Sequence, residues 1–264
     1  MEVSDRSFGK CLFLEIQVDE NGMNYKDIYY PESRIGGFSN VDGTIAFYSR
    51  VNALITPSSV IVDVGCGRGA YGEDPLPFRR NLRILRGKAQ KVIGIDVDPQ
   101  AAANPFIDEF HCIAGARWPV GSATADICLS DNVLEHVADP EQFFSECSRL
   151  LKPGGMLCIR TPNAFSYFGL ISNLVPNRRH VAILEKTKEQ VKERDVFPTF
   201  YRCNTLWAIR RALARQGFES TVYGYDAEPS YLAFGRFFYF LGVLHQRYAP
   251  GFLKVGIHAF GRKF

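Results

Sequence analysis

The chain has 264 residues, 46% hydrophobic and 22% charged, with a formal charge of +3. That balance excludes a disordered or fibrous chain, and so small a positive excess gives no ground for nucleic-acid binding. The seven cysteines are scattered, with no CxxC pair and no zinc-spaced Cys/His cluster, so they read as reduced thiols and no metal is expected. Glu2, Asp5 and Arg6 break up any leader-like pattern. The longest apolar run, Tyr231 to Leu244, is interrupted by Arg236 and falls short of the roughly 20 residues a spanning helix needs. A cytoplasmic protein is expected.

Residues Cys11–Val18 alternate apolar and polar and predict a strand, with Asn21-Gly22 as a turn. Apolar residues at 45, 48, 51, 54 and 55 predict a helix from Asp42 to Ile55, capped by Ser39 or Asp42 and stopped by Pro57. Strand and helix signals then alternate. Strands are predicted at Ser59–Val64, Lys91–Val97, Glu109–Ile113, Ala125–Ser130 and Met156–Arg160. A helix is predicted at Pro140–Leu151 and a turn at Lys152–Gly155. Such alternation implies an α/β, doubly wound, mostly parallel sheet with helices on both faces. The rhythm breaks over Asn163–Arg202, which holds an apolar piece (Phe165–Val175), a basic knot (Asn177–His180) and a charged stretch (Glu185–Asp195). It returns with a helix at Asn204–Gln216 capped by Asn204, a strand at Phe218–Tyr225, an aromatic helix at Pro229–Tyr248 and a last strand at Lys254–Phe260.

The most informative stretch is Val60-Ile-Val-Asp-Val-Gly-Cys-Gly-Arg-Gly69. A buried strand that runs into alternating glycines leaves backbone N–H groups free to cradle a nucleotide. The pattern is D-x-G-x-G-x-G rather than the dinucleotide G-x-G-x-x-G. Ile93-Gly-Ile-Asp96 adds a carboxylate at the end of the next strand, where a ribose diol would sit. Two further motifs follow, Cys128-Leu-Ser-Asp-Asn-Val-Leu-Glu-His-Val137 and Leu150-Leu-Lys-Pro-Gly-Gly-Met-Leu157.

Together the four motifs resemble the S-adenosylmethionine-dependent methyltransferases of the Rossmann-like class, in the branch with an LEHV segment and an LKPGG turn. The resemblance covers roughly Ser59 to Phe218 and implies a seven-stranded sheet with an antiparallel last strand. It implies a single methyltransferase domain over 1–264: an N-terminal extension and helix (1–58), a cofactor-binding core (59–162), an acceptor-side cap (163–203) and the C-terminal half of the sheet with an aromatic helix insertion (204–264). The segments Asp42–Tyr48 and Asp195–Tyr201 are similar to a bacterial subgroup. S-Adenosylmethionine is the cofactor implied. Asp63 would orient the loop and approach the methionine amino group. Gly65, Cys66, Gly67 and Gly69 would pass close under the cofactor. Asp96 would take the ribose hydroxyls, with Val97 against the adenine. Asp131 would meet the methionine end or the acceptor, and His136 would stand near the reacting centre.

Two departures stand out. The stretch Ile113–Pro119 has no acid for the adenine amino group, and Tyr71–Lys88 lengthens the span between Asp63 and Asp96, as a longer first helix or as a flap. The implied chemistry is O-methylation of a small-molecule, sugar or lipid-linked acceptor by in-line displacement. His136, Asp131 and His180 are the candidate bases. For His136 the competing reading is a packing histidine, for His180 a solvated basic loop, and Glu135 reads as a surface residue. From Pro229 onward the chain has no acid, only basic residues among aromatics. That segment is either core or, over 229–253, a peripheral contact with a membrane or a lipid-linked acceptor. The alternatives to a methyltransferase are an inactive methyltransferase-like scaffold subunit and a nicotinamide oxidoreductase. The oligomeric state is not legible.

Overall fold

The computed structural model describes residues 24–167 and 198–264. The strand expected at Cys11–Val18, the basic knot with His180 and most of the expected cap lie outside the described residues.

The described chain falls into two compact units. The larger, Gly43–Tyr225 with Pro250–Phe264, contains the sheet. Its strands are β1 (Val60–Val64), β2 (Lys91–Asp96), β3 (Glu109–Cys112), β4 (Ala125–Asp131), β5 (Leu151–Pro162), β6 (Phe218–Tyr225) and β7 (Gly256–Lys263). The order is β3-β2-β1-β4-β5-β7-β6. The pairs from β3 to β5 are parallel, and β7 is antiparallel to both its neighbours. This is the doubly wound α/β sheet that the alternation predicts, with the antiparallel last strand that the resemblance implies.

Helices cover both faces. On one, α4 (Pro140–Leu150) and α5 (Leu206–Arg215) bury Phe143, Phe144, Cys147, Leu150, Ile209 and Leu213 against the sheet. Helix α4 begins where Asp139 accepts from the Gln142 amide at 3.1 Å and Pro140 supplies the first turn, a cap worth about 1 kcal/mol. Helix α5 is capped by Thr205, which accepts from the Ala208 amide at 3.2 Å, and not by Asn204. Asn204 is fully buried, and its amide donates to Thr161 Oγ1 at 2.6 Å. The helix start falls one residue later than expected, at Thr205. On the other face, α2 (Gly43–Leu54) packs Phe47, Tyr48 and Val51 over Ile61, Ile127, Leu129 and Cys158.

The expected turn at Lys152–Gly155 falls within the opening of the long β5. Leu151 pairs with Ala125 and Met156 with Ile127, so Lys152–Gly155 loop out of the ladder between them, with Gly154 at φ +80°. The Tyr71–Lys88 insertion does not lengthen a first helix. It folds as a 3₁₀ turn (Ala70–Glu73) and the short α3 (Pro77–Arg83).

Of the described residues, the smaller unit comprises 24–42 and Asp226–Ala249. Helix α1 (Tyr25–Tyr29) and helix α6 (Arg236–Tyr248) share a small core of Tyr25, Tyr30, Ala233, Tyr239 and Val243. The aromatic helix expected from Pro229 thus starts only at Arg236, after a 3₁₀ turn at Ser230–Leu232.

Candidate functional site

Strand pleat decides which side chains meet. Odd-numbered Ile61, Ile127 and Leu129 face α2, whereas Val62, Val64 and Cys128 face α4 and α5. The same parity puts Asp63 and Asp131 on the α2 face. On β2, β5 and β7 the residues facing α2 are even-numbered, which adds Asp96, Arg160 and His258. The carboxylates of β1, β2 and β4 therefore share one face at the carboxyl ends of the central parallel strands, the ordinary crevice of an open α/β sheet.

The glycine loop is built into this crevice. The amides of Gly65 and Cys66 donate to Ile95 O at 2.7 and 3.3 Å, which pins the loop to β2. Gly65 has φ +71°, and a Cβ there would collide with the side chain of Val133. Gly67 also lies in the left-handed region, at φ +54°, yet a Cβ there meets nothing within 4 Å. The space over Gly67 is open, as a closely approaching ligand requires. Gly69, at φ +80°, sits against Asn104, Pro105 and Phe106. The Cys66 thiol is buried under the loop against Gly94, and burial raises its pKa.

Asp96 is buried and accepts from the Gly67 amide and the Asp98 amide, both at 2.9 Å. It fixes the loop and keeps the second lone pair of each oxygen for a hydroxyl donor. Val97 is 60% exposed just beyond it, an apolar surface turned to solvent. Asp63 is half-buried, and its pKa is pushed up to about 7. Burial is the chief cause, Asp131 and Asp96 add to it, and Arg83 opposes it. A carboxyl in that state gains from a cationic ligand beside it.

Asp131 is engaged differently. Arg160 grips it bidentately, Nε to Oδ1 at 2.6 Å and Nη2 to Oδ2 at 2.7 Å. The Tyr48 hydroxyl donates to Oδ2 at 2.9 Å, and Arg83 from α3 lies 3.5 Å away. Burial acts to raise the carboxyl, but Arg160, with help from Arg83 and Tyr48, holds it below the usual range. A carboxylate so held accepts a hydroxyl proton poorly. The Arg83 guanidinium also stacks 4.8 Å over Tyr71, so the insertion contributes two residues to this cluster.

His136 is part-exposed, and its Nδ1 donates to Pro198 O at 3.0 Å. A carbonyl can only accept, so Nδ1 carries a hydrogen there, while Nε2 lies 4.0 Å from Glu135 Oε1. Glu135 is not a surface residue. It is buried, Thr161 Oγ1 donates to it at 3.0 Å, and burial pushes its carboxyl up. His258, across the ladder from Arg160, is stacked on Tyr225 at 4.7 Å and pushed down to about 3, by burial and then by Arg160 and Arg50.

Sequence reasoning missed Asn104, Arg160, Arg83 and Tyr48. Asn104 is buried and donates to Cys66 O at 3.0 Å and Gly67 O at 3.1 Å, clamping the loop from below. Arg160 had a readable signal, because parallel pairing puts it opposite Asp131 in register. Among the described residues no group of His, Cys, Asp and Glu is placed to hold a metal.

Residues 62–159 match the family described as a methyltransferase domain. A probable S-adenosylmethionine-dependent methyltransferase of Mycolicibacterium smegmatis is 34% identical over 112 residues, which cover 40% of this chain and 39% of that protein. A ubiquinone biosynthesis O-methyltransferase of Rhizobium etli is 30% identical over 103 residues, 39% of this chain and 41% of that protein. The match thus spans about two fifths of these curated relatives. Among solved structures, an S-adenosylmethionine-dependent methyltransferase of Mesorhizobium loti superposes with a TM-score of 0.50 at 17% identity, covering 85% of this chain and all 100% of its own. That likeness is one of fold.

Proposed function

We propose that this chain, whose segment 62–159 belongs to the methyltransferase-domain family, is an S-adenosylmethionine-dependent methyltransferase acting on a hydroxyl of a small-molecule, sugar or lipid-linked acceptor. One observation carries the reading: Asp63 and Asp96 stand on one sheet face, either side of a glycine loop whose Gly67 leaves open space above it. When bound, the sulfonium donor supplies an electrophilic methyl group and a neutral thioether leaving group.

The chain's own residues do the rest. Asp63 pairs with the donor's ammonium group. Asp96 accepts the ribose hydroxyls while still holding the Gly67 amide. Val97 offers the apolar surface for the adenine, which takes no acid from Ile113–Pro119. Asp131 is a positioning residue that keeps Arg160, Arg83 and Tyr48 in place. His136 Nε2 receives the acceptor's hydroxyl proton, a role worth about 10²–10⁴-fold. Holding donor and acceptor in line supplies the larger share, roughly 7–11 kcal/mol. The segment 163–203 serves as the acceptor-side cap. O-Methylation is favoured because a relative matched over the core is a ubiquinone biosynthesis O-methyltransferase.

The test is transfer of labelled methyl groups from the donor to cell extracts, with an untargeted comparison of methylated metabolites in a deletion strain. A labelled ether or ester product that vanishes with His136→Ala supports the proposal. Label appearing only on nitrogen or carbon refutes the O-methylation part of it.

A further inference from the structure

Helix α6 carries two apolar faces where a helix of a small unit needs one. Tyr239, Gly242 and Val243 form the buried face, and Tyr239 and Val243 belong to the unit's aromatic core. At 3.6 residues per turn, Phe237, Phe240, Leu241, Leu244 and Tyr248 fall on the opposite side, within an arc of roughly 100°. They are exposed by 66%, 41%, 43%, 37% and 78%. Phe234, just ahead of the helix and 57% exposed, extends the patch, and its ring packs 4.8 Å from that of Phe238. A continuous aromatic and leucine face of this kind marks a surface that meets something apolar.

Charge indicates what that something is. The helix contains no acid. Arg236 and Arg247 flank the apolar arc on one side, and His245 on the other is paired with Asp226 at 3.1 Å. A second copy of the same face would bring arginine toward arginine with no carboxylate on either helix to separate them, which disfavours a two-fold contact. An anionic surface with an apolar layer beneath it satisfies both features.

We propose that this face of α6 docks the protein on an anionic lipid membrane. The Phe237, Phe240 and Tyr248 rings enter the boundary between headgroups and acyl chains, and Arg236 and Arg247 meet the lipid phosphates. No helix among the described residues is long and apolar enough to cross a membrane, so the contact is peripheral. This docking is independent of the donor site and goes beyond the reading of it.

The experiment is flotation of the full chain with vesicles of phosphatidylcholine plus phosphatidylglycerol, against phosphatidylcholine alone, at low and high salt. Flotation is expected only with the anionic vesicles and is weakened by salt. Phe237→Ser with Leu241→Ser lowers partition by at least about tenfold. Arg236→Gln with Arg247→Gln lowers it by roughly ten- to thirtyfold. Donor affinity and melting temperature are read alongside, and both stay unchanged because the altered side chains are exposed. Absence of flotation at low salt overturns the proposal, as does equal partition of the Phe237/Leu241 variant. So does a concentration-dependent dimer in sedimentation velocity that the same variant abolishes, which would make the face a contact between copies.

Discussion

The pKa of Asp63, pushed up to about 7, makes donor binding pH-dependent in a stated direction. With a pKa near 7 the carboxyl is about nine-tenths ionised at about pH 8 and about one-tenth ionised at about pH 6. If the ionised form is the one that meets the donor's ammonium group, affinity falls about tenfold over that interval, or about 1.4 kcal/mol. Binding at the acid end must then release close to one proton. Isothermal titration calorimetry in buffers of different ionisation enthalpy reads both quantities. Asp63→Asn should bind weakly and with a flat profile. The linked stability effect has the opposite sign to that of an ion-paired acid. A raised folded pKa means stability is lost as pH rises from about 4 through about 7, so Asp63→Asn should melt higher than the parent at about pH 8, by an amount on the order of 2–4 kcal/mol. The reasoning is refuted if the parent binds the donor equally at both pH values and releases no proton.

The two loop glycines should separate folding from binding. Gly65→Ala meets Val133 and a left-handed φ, so it should cost about 2–3 kcal/mol in thermal melts. Gly67→Ala meets open space and should cost only about 1–2 kcal/mol, while donor binding in calorimetry falls below detection. Asn104→Ala leaves the Cys66 and Gly67 carbonyls without their buried donor and should lower stability by about 2–3 kcal/mol in urea titrations. Asp131→Asn strips the counter-charge from Arg160 and Arg83 and should cost about 3–5 kcal/mol. Because the folded pKa of Asp131 is depressed, the parent's share of that stability is present above about pH 4 and lost below it, which acid unfolding curves will read.

What the sequence could and could not carry follows from the range of each interaction. The glycine loop, Asp63 and Asp96 lie on strands whose ends are marked by local pattern, so their placement in one crevice was legible. The helix at Gly43–Leu54 and the strands β1 to β4 follow from periodicity, with ends shifted by a residue or so. Failures cluster where a distant partner decides. Asn204 reads as a cap, but Thr161, 43 residues away in sequence, takes its amide. Glu135 looks like an exposed helical acid until Thr161 and the fold bury it. Arg83 and Tyr71 come from an insertion with no periodic signal, and only tertiary structure brings them to Asp131 and Asn104. Lys152–Gly155 has turn chemistry, and it loops out of the ladder within β5.

A methyl-donor site is proposed in the crevice between Asp63 and Asp96. Calorimetric titration of the full chain with S-adenosylmethionine, its demethylated product and a nicotinamide dinucleotide tests it most directly. One-to-one binding of the first two is expected in the range of about 1 μM to 1 mM, lost in Gly67→Ala, with none of the dinucleotide. No binding of either sulfur ligand would contradict it and favour a scaffold role, and binding of the dinucleotide alone would make the loop a hydride-transfer site.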